Sequence, residues 1–235
     1  RNQGALLKEV RELLTLSRGY GMESVRQRAM STAETVSASL SEVVDDSTLE
    51  LVVDLRLAFG RLLAALGANE RAEKEHLDTA ELSLSQGWTE TACAALALAS
   101  HAAQARGDRA SSGRAWHQCR DAMESWPMNR PGERCGILVD AVGDPLVAVQ
   151  VLSALAEVLV DGVEEDHSRA PIIREIISRA SEQASRCVSP PQGAVESLAR
   201  VEERIAPYGR GRGGRRRPGS TTTITTDGQA AAGGK

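Results

Sequence analysis

The sequence predicts an all-α protein of about ten helices, followed by a tail that does not fold. Three observations carry that prediction. Apolar residues recur at spacings of three and four along most of the chain, which keeps them on one helix face. Aromatics make up only 3% of the 235 residues while Ala, Leu, Glu and Arg abound, a composition that favours helix over strand. Glycines fall between the periodic segments, where a helix has to end and the chain has to turn.

In the first segment Ala5, Leu6, Val10, Leu13 and Leu14 make one stripe, and Gly19 and Gly21 stop it. A second helix from about Met22 carries Val25, Ala29, Ala33, Val36 and Leu40. Asp45, Asp46 and Ser47 offer capping oxygens to a third helix, with Glu50 three residues after Ser47. That helix is apolar on most sides and ends at Gly67. Asn69 is read as the cap of a fourth, whose stripe is Ala72, His76, Ala80 and Leu84. After Gly87, Trp88 opens an Ala-rich fifth helix reaching Arg106, and Gly107–Asp108 turns into a sixth with Ala115, Cys119 and Ala122 or Met123 inward.

Pro127 and Pro131 bracket a longer connection before the seventh helix. Asp144 followed by Pro145 is a strong start signal for the eighth, which is apolar almost all round from Leu146 to Val160 and is expected to be the most buried. Pro171 opens a ninth helix with Ile173, Ile176, Ile177, Ala180, Ala184 and Cys187 on one face. The last has Val195, Leu198, Val201 and Ile205 inside and Arg200, Glu202 and Glu203 outside, one wet face that suits the closing helix of a stack. Pro207 is expected to end the fold.

Charge separates the two parts. From Pro207 onward, six basic residues against one acid carry +5, so the net −4 leaves −9 for residues 1–206. The tail has no apolar period and cannot bury enough surface to offset its ordering entropy, so it is expected to be disordered. Four cysteines spread thinly through helical segments are unlike the dense framework of a small secreted domain. The expectation is an intracellular protein, cytoplasmic, or nuclear if the arginine cluster of the tail acts as an address. The apolar runs are too short or too interrupted to span a bilayer. The first residue is Arg1 and not Met, which leaves an N-terminal partner domain open.

The glycine turns at Gly67, Gly107 and Gly143 lie 40 and 36 residues apart. Around each, a small residue stands seven positions before the glycine and another five after it. The triplets are Gly60, Gly67 and Ala72; Ser100, Gly107 and Ser112; Gly136, Gly143 and Ala148. Small side chains there let two helix backbones approach, and the turn glycine adopts a conformation other residues resist. In this, residues 48–160 resemble the tetratricopeptide repeat family. The departures are a period above the usual 34 residues, no Trp and Tyr signature in the first helices, and no Pro closing each unit.

The resemblance implies an antiparallel helix-pair, right-handed superhelix. Residues 1–47 would be an N-terminal helical pair, 48–160 the repeats, 161–206 capping helices and 207–235 the tail. It also implies a non-enzymatic scaffold or adaptor that holds a peptide or helix of a partner protein in a concave groove, without cofactor or membrane. Through the glycine register the groove positions fall on Asp54, Arg61, His101, Gln104, Arg130, Glu133 and Asp140. The other reading of those residues is an ordinary solvated helix surface, and of the fold an irregular bundle without a groove. The oligomeric state is left open.

No metal or nucleophile pattern emerges. His117 and Cys119 form the one close His–Cys pair, and two residues apart on a helix they point to different faces. Neither C-x-x-C nor H-E-x-x-H occurs. Gly209, Gly211, Gly213 and Gly214 follow no strand and open no helix, so they do not form a phosphate cradle. Arg210, Arg212, Arg215, Arg216 and Arg217 form a cluster able to contact nucleic-acid phosphates, with affinity falling as salt rises. That gives the second functional reading, a regulatory helical module of a nucleic-acid-associated protein. The other reading of the cluster is a solvated charged tail or processing remnant, and the third reading of the chain, an enzyme hidden in the helical array, lacks any candidate site.

Overall fold

The computed structural model describes residues 2–40 and 48–209, which form ten α-helices and no strand. They are α1 (Gln3–Tyr20), α2 (Arg26–Leu40), α3 (Leu49–Ala65), α4 (Asn69–Ser85), α5 (Thr89–Ala105), α6 (Arg109–Glu124), α7 (Pro131–Val142), α8 (Pro145–Val160), α9 (Arg169–Ser185) and α10 (Gln192–Ile205). Asp45, Asp46 and Ser47 lie outside the described residues, as do Arg210, Arg212, Arg215, Arg216 and Arg217.

Turn chemistry sets where the helices stop. Gly67, Gly87 and Gly107 have φ of 81°, 73° and 83°, the left-handed region that glycine enters without a Cβ penalty. Each turn is closed by the same six-to-one bond, from the amide after the glycine to a carbonyl in the last helical turn: Ala68 to Leu63, Trp88 to Ser83 and Asp108 to Ala103, at 2.9, 2.9 and 3.0 Å. The three glycines stand 20 residues apart, and Glu50, Glu70 and Glu90 repeat in the first turns that they separate, where the helix dipole favours an acid. Gly143 turns differently, with φ of 62° and one bond to the Val139 carbonyl. Asp144 caps α8 as expected, accepting from the amides of Leu146 and Val147.

Successive helices from α3 to α6 pack side by side in chain order. α1 lies on α3, α7 on α5, and α9 and α10 both lie on α8. Two hydrophobic clusters fill the interior. One gathers Leu6, Leu13, Leu55, Phe59 and Leu62; the other gathers Leu96, Leu138, Leu152, Leu155 and Ile173. They meet along α3, whose Val53 and Leu57 join the second while Leu55 and Phe59 join the first. Each fully buried large side chain contributes about 1.5–3 kcal/mol.

Several expectations need adjustment. α8 shares its depth with α5, which is buried without a break from Ala92 to Ser100; its alanines let α4, α6 and α7 close in together. The second helix begins at Arg26, because Met22–Val25 form a tighter 3₁₀ turn. Ala68 and not Asn69 is the residue before α4, so Asn69 is already helical. Pro171 sits in the first turn of α9 rather than at its start, a place where its missing N–H costs nothing. Leu84 is half exposed. Nor does Pro207 end the fold: Ala206–Gly209 form a 3₁₀ turn, and the ring of Tyr208 lies 4.7 Å from that of His167.

Candidate functional site

The seven groove positions do not come together in one surface. His101 and Gln104 line a cleft of about 730 Å³ between α5, α6, α8 and α10. Asp54, Arg61 and Asp140 line a hollow of about 270 Å³ among α1, α3, α5 and α7. Arg130 and Glu133 pair with each other at 3.4 Å on the exposed start of α7 and border neither space. α7 is the reason. It packs on α5, and Thr91 near the start of α5 shares a hollow with α3 and α7 while His101 and Gln104 near its end share the cleft with α8 and α10.

The larger cleft has a floor of two helices. α5 supplies Ala97, Ser100, His101 and Gln104, and α8 supplies Gln150, Ser153, Ala154 and Glu157. Both sets follow the spacing i, i+3, i+4, i+7 of a single helix face. Ala97 and Ser100 on α5 and Ser153 and Ala154 on α8 are small, while His101, Gln104, Gln150 and Glu157 make the rest of the floor polar. α6 forms one wall with Ser112, Gly113 and the half-buried Trp116; α10 forms the other with Gly193, Ala194 and Ser197.

Polar contacts hold the walls apart at a set width. Ser100 bonds the Ser112 carbonyl and hydroxyl, both at 3.0 Å, fixing α6 to α5. Ser153 donates to the Ala194 carbonyl at 3.1 Å, fixing α10 to α8. At one end Glu157 accepts from Arg120 of α6 at 3.2 Å and from the Ser197 hydroxyl of α10. A carboxylate with a charged partner and a hydroxyl donor is well satisfied while partly buried. Sequence reasoning missed the α8 and α10 contributions; the matched spacing of small residues on α5 and α8 is the signal that carries them.

The smaller hollow is built around Arg61. Its Nε is buried and has no hydrogen-bond partner. Burial, with Arg18 and Arg11 nearby, lowers its pKa to about 10, against the opposing pull of Asp54 and Asp144. Arg11 pairs with Asp54 at 3.1 Å, and Arg18 donates to the Gly143 carbonyl. Beside it His76 is fully buried, and its pKa is lowered to about 3 by burial and then by Arg61. A neighbouring hollow of about 310 Å³ shares Asp54, Thr91 and Ile137 and adds Glu50, Val53, Trp88 and Glu90.

Cys93 and Cys119 face each other across α5 and α6, the Cys119 thiol lying 3.4 Å from the Cys93 carbonyl. Among the described residues no group of three or more His, Cys, Asp or Glu is placed to hold a metal ion, and no helix is long and apolar enough to cross a membrane. No protein-family model, curated protein or solved structure matches the chain, and its likeness to tetratricopeptide repeats rests on the glycine-centred triplets alone.

Proposed function

We propose that the chain is a non-enzymatic scaffold of tetratricopeptide-like build, a superhelix of helix pairs that holds a helix or peptide of a partner protein in the cleft between α6 and α10. The observation that carries this reading is the shape of that cleft. Two helix faces that mix small side chains (Ala97, Ser100, Ser153, Ala154) with polar ones (His101, Gln104, Gln150, Glu157) make its floor, two further helices make its walls, and its volume of about 730 Å³ lies in the range of binding sites. A groove of this kind suits an inserted helix presenting apolar anchors at i, i+3, i+4 and i+7. Trp116 on the wall offers a large, stiff contact of the sort that dominates interface energies. The repeated six-to-one turns and the chain-order packing of α3 to α6 support the superhelix reading.

Site-directed photo-crosslinking tests it. A benzophenone side chain is placed at His101 or Gly113 in the cleft, or at Glu81 on the outer face of α4, in the full chain. Crosslinks to one protein segment from positions 101 and 113, with none from 81, are expected. Equal capture at all three positions, or at none, overturns the reading. If bound material instead disappears on nuclease treatment and on removal of residues 208–235, the nucleic-acid reading replaces it.

A further inference from the structure

We propose that the hollow between α1, α3, α5 and α7 is a binding site for a carboxylate carried on an apolar body, with Arg61 as the residue that pairs with it. The site stands apart from the cleft between α6 and α10 and does not rest on a partner protein occupying that cleft.

A guanidinium carries five N–H donors and seeks planar acceptors. Arg61 makes no hydrogen bond or ion pair with any other described residue, and its Nε is out of solvent. The nearby carboxylates are engaged elsewhere or lie out of reach. Asp54 is held by Arg11, Asp144 caps α8, and Asp140 lines the hollow without bonding to Arg61. Arg61 is half-buried, so its charge is only partly solvated and an acceptor supplied from outside the fold would satisfy the donors that the fold leaves open.

The position is also constrained. A Cβ on residue 143 would meet Nη1 of Arg61, so the glycine there leaves room for the guanidinium against the α7–α8 turn. The Arg18 contact to the Gly143 carbonyl braces the same turn from α1. Pre-set geometry of this kind lowers the entropy cost of binding.

Charge and shape select the ligand. Arg11 and Arg61 balance Asp54 and Asp140 in the hollow, so what Arg61 lacks is a bonded acceptor rather than net charge, and the two aspartates disfavour a dianion such as a phosphate monoester more than a single carboxylate. A carboxylate matches the guanidinium fork in a two-bond pair. Leu57, Ile137 and Ala141 line the same hollow, and Ile137 is 45% exposed; Val53 and Trp88 continue it together with Glu50 and with Glu90, whose charge Arg134 takes up. These surfaces would cover a short apolar body attached to the carboxylate. The source is either a free small acid or the carboxylate end of a peptide.

The probes are 3-phenylpropionate, its uncharged analogue 3-phenylpropanol, and a pentapeptide ending in phenylalanine as the free acid or the amide. Binding is read by calorimetry, tryptophan fluorescence and melting temperature of the full chain. The acids are expected to bind and raise the melting temperature, while the alcohol and the amide do not. Arg61→Gln is expected to weaken the acids at least about tenfold, the loss of a charge-assisted pair, and to leave the ligand-free melting temperature unchanged or higher. Ile137→Asp, on an exposed position, places a negative charge in the hollow; it is expected to weaken the acids likewise and carries the test if Arg61→Gln does not fold. Tighter binding of the peptide acid assigns the site to a partner segment, and tighter binding of phenylpropionate assigns it to a free acid; either supports the site. Failure of every acid to bind, or equal affinity in both folded variants, overturns it.

Discussion

The imidazole of His76 stands where a side chain on Gly60 would begin. A Cβ at residue 60 would lie 2.4 Å from Cε1 and 2.7 Å from Nε2 of that ring, closer than any real carbon contact. This is the physical content of the small residue in the first triplet: α3 and α4 meet there, and the ring of one occupies the missing side chain of the other.

Gly60→Ala is therefore expected to destabilise the chain despite improving helix propensity. The propensity gain is about 1 kcal/mol, and overpacking costs about 1–3 kcal/mol; with the ring itself fully buried, the net loss is up to about 2 kcal/mol. Gly136, at the same place in the third triplet, has nothing within 4 Å of its Cβ position, so Gly136→Ala is expected to gain about 0.5–1 kcal/mol. Urea unfolding of the two variants decides. Equal effects would show that the first and third units pack alike.

Acid should destabilise the fold through His76. Its folded pKa is lowered from 6.5 to about 3, so the unfolded chain takes up the proton first. The contribution is intact above pH 6.5 and is lost as pH falls from 6.5 towards 3, by up to about 1.4 kcal/mol per pH unit. Unfolding of wild type and His76→Gln at pH 7 and pH 5.5, above most carboxylate titration, isolates it. The variant should have the flatter pH profile. Identical slopes would mean that the ring is not buried neutral.

Glu90 is buried in the first turn of α5 and pairs with Arg134 of α7. Removing the arginine leaves a buried carboxylate with its main partner gone. Arg134→Ala is expected to cost about 1–3 kcal/mol, and Arg134→Ala with Glu90→Gln to recover part of that. A double-mutant cycle gives the coupling directly.

The four cysteines should differ sharply in reactivity. Cys93, Cys119 and Cys135 are fully buried and Cys187 is half-buried. The Cys93 contact and burial push the Cys119 thiol up, and burial pushes Cys135 up to about 12. Maleimide labelling followed by mass spectrometry should modify Cys187 first in the native chain and all four after unfolding. Early labelling of Cys135 would contradict the packing of α7 on α5.

Helix starts and stops were legible in the sequence where local chemistry sets them: Asp144–Pro145 opening α8, and glycines closing α3, α4 and α5 at positive φ. Helical faces were legible too, from Leu6, Val10 and Leu13 through to Leu198, Val201 and Ile205. Which neighbour covers a face was not. Spacing puts His101 and Arg61 six residues before two of the turn glycines, yet the first lines the cleft with α8 and α10 and the second a hollow with α1 and α7. Likewise Glu157 and Ser197, 40 residues apart, meet across the cleft through a tertiary contact that no local pattern encodes. His76 reads as one more stripe residue until the ring is seen lying on Gly60.

The bond from Arg18 to the Gly143 carbonyl joins positions 125 residues apart. In an open stack each unit touches only its neighbours, and the ends can fray one after another. A clasp between the first helix and the turn before the eighth removes that freedom. Loss of α1 would take that brace from the turn, so the start of α8 should open together with α1.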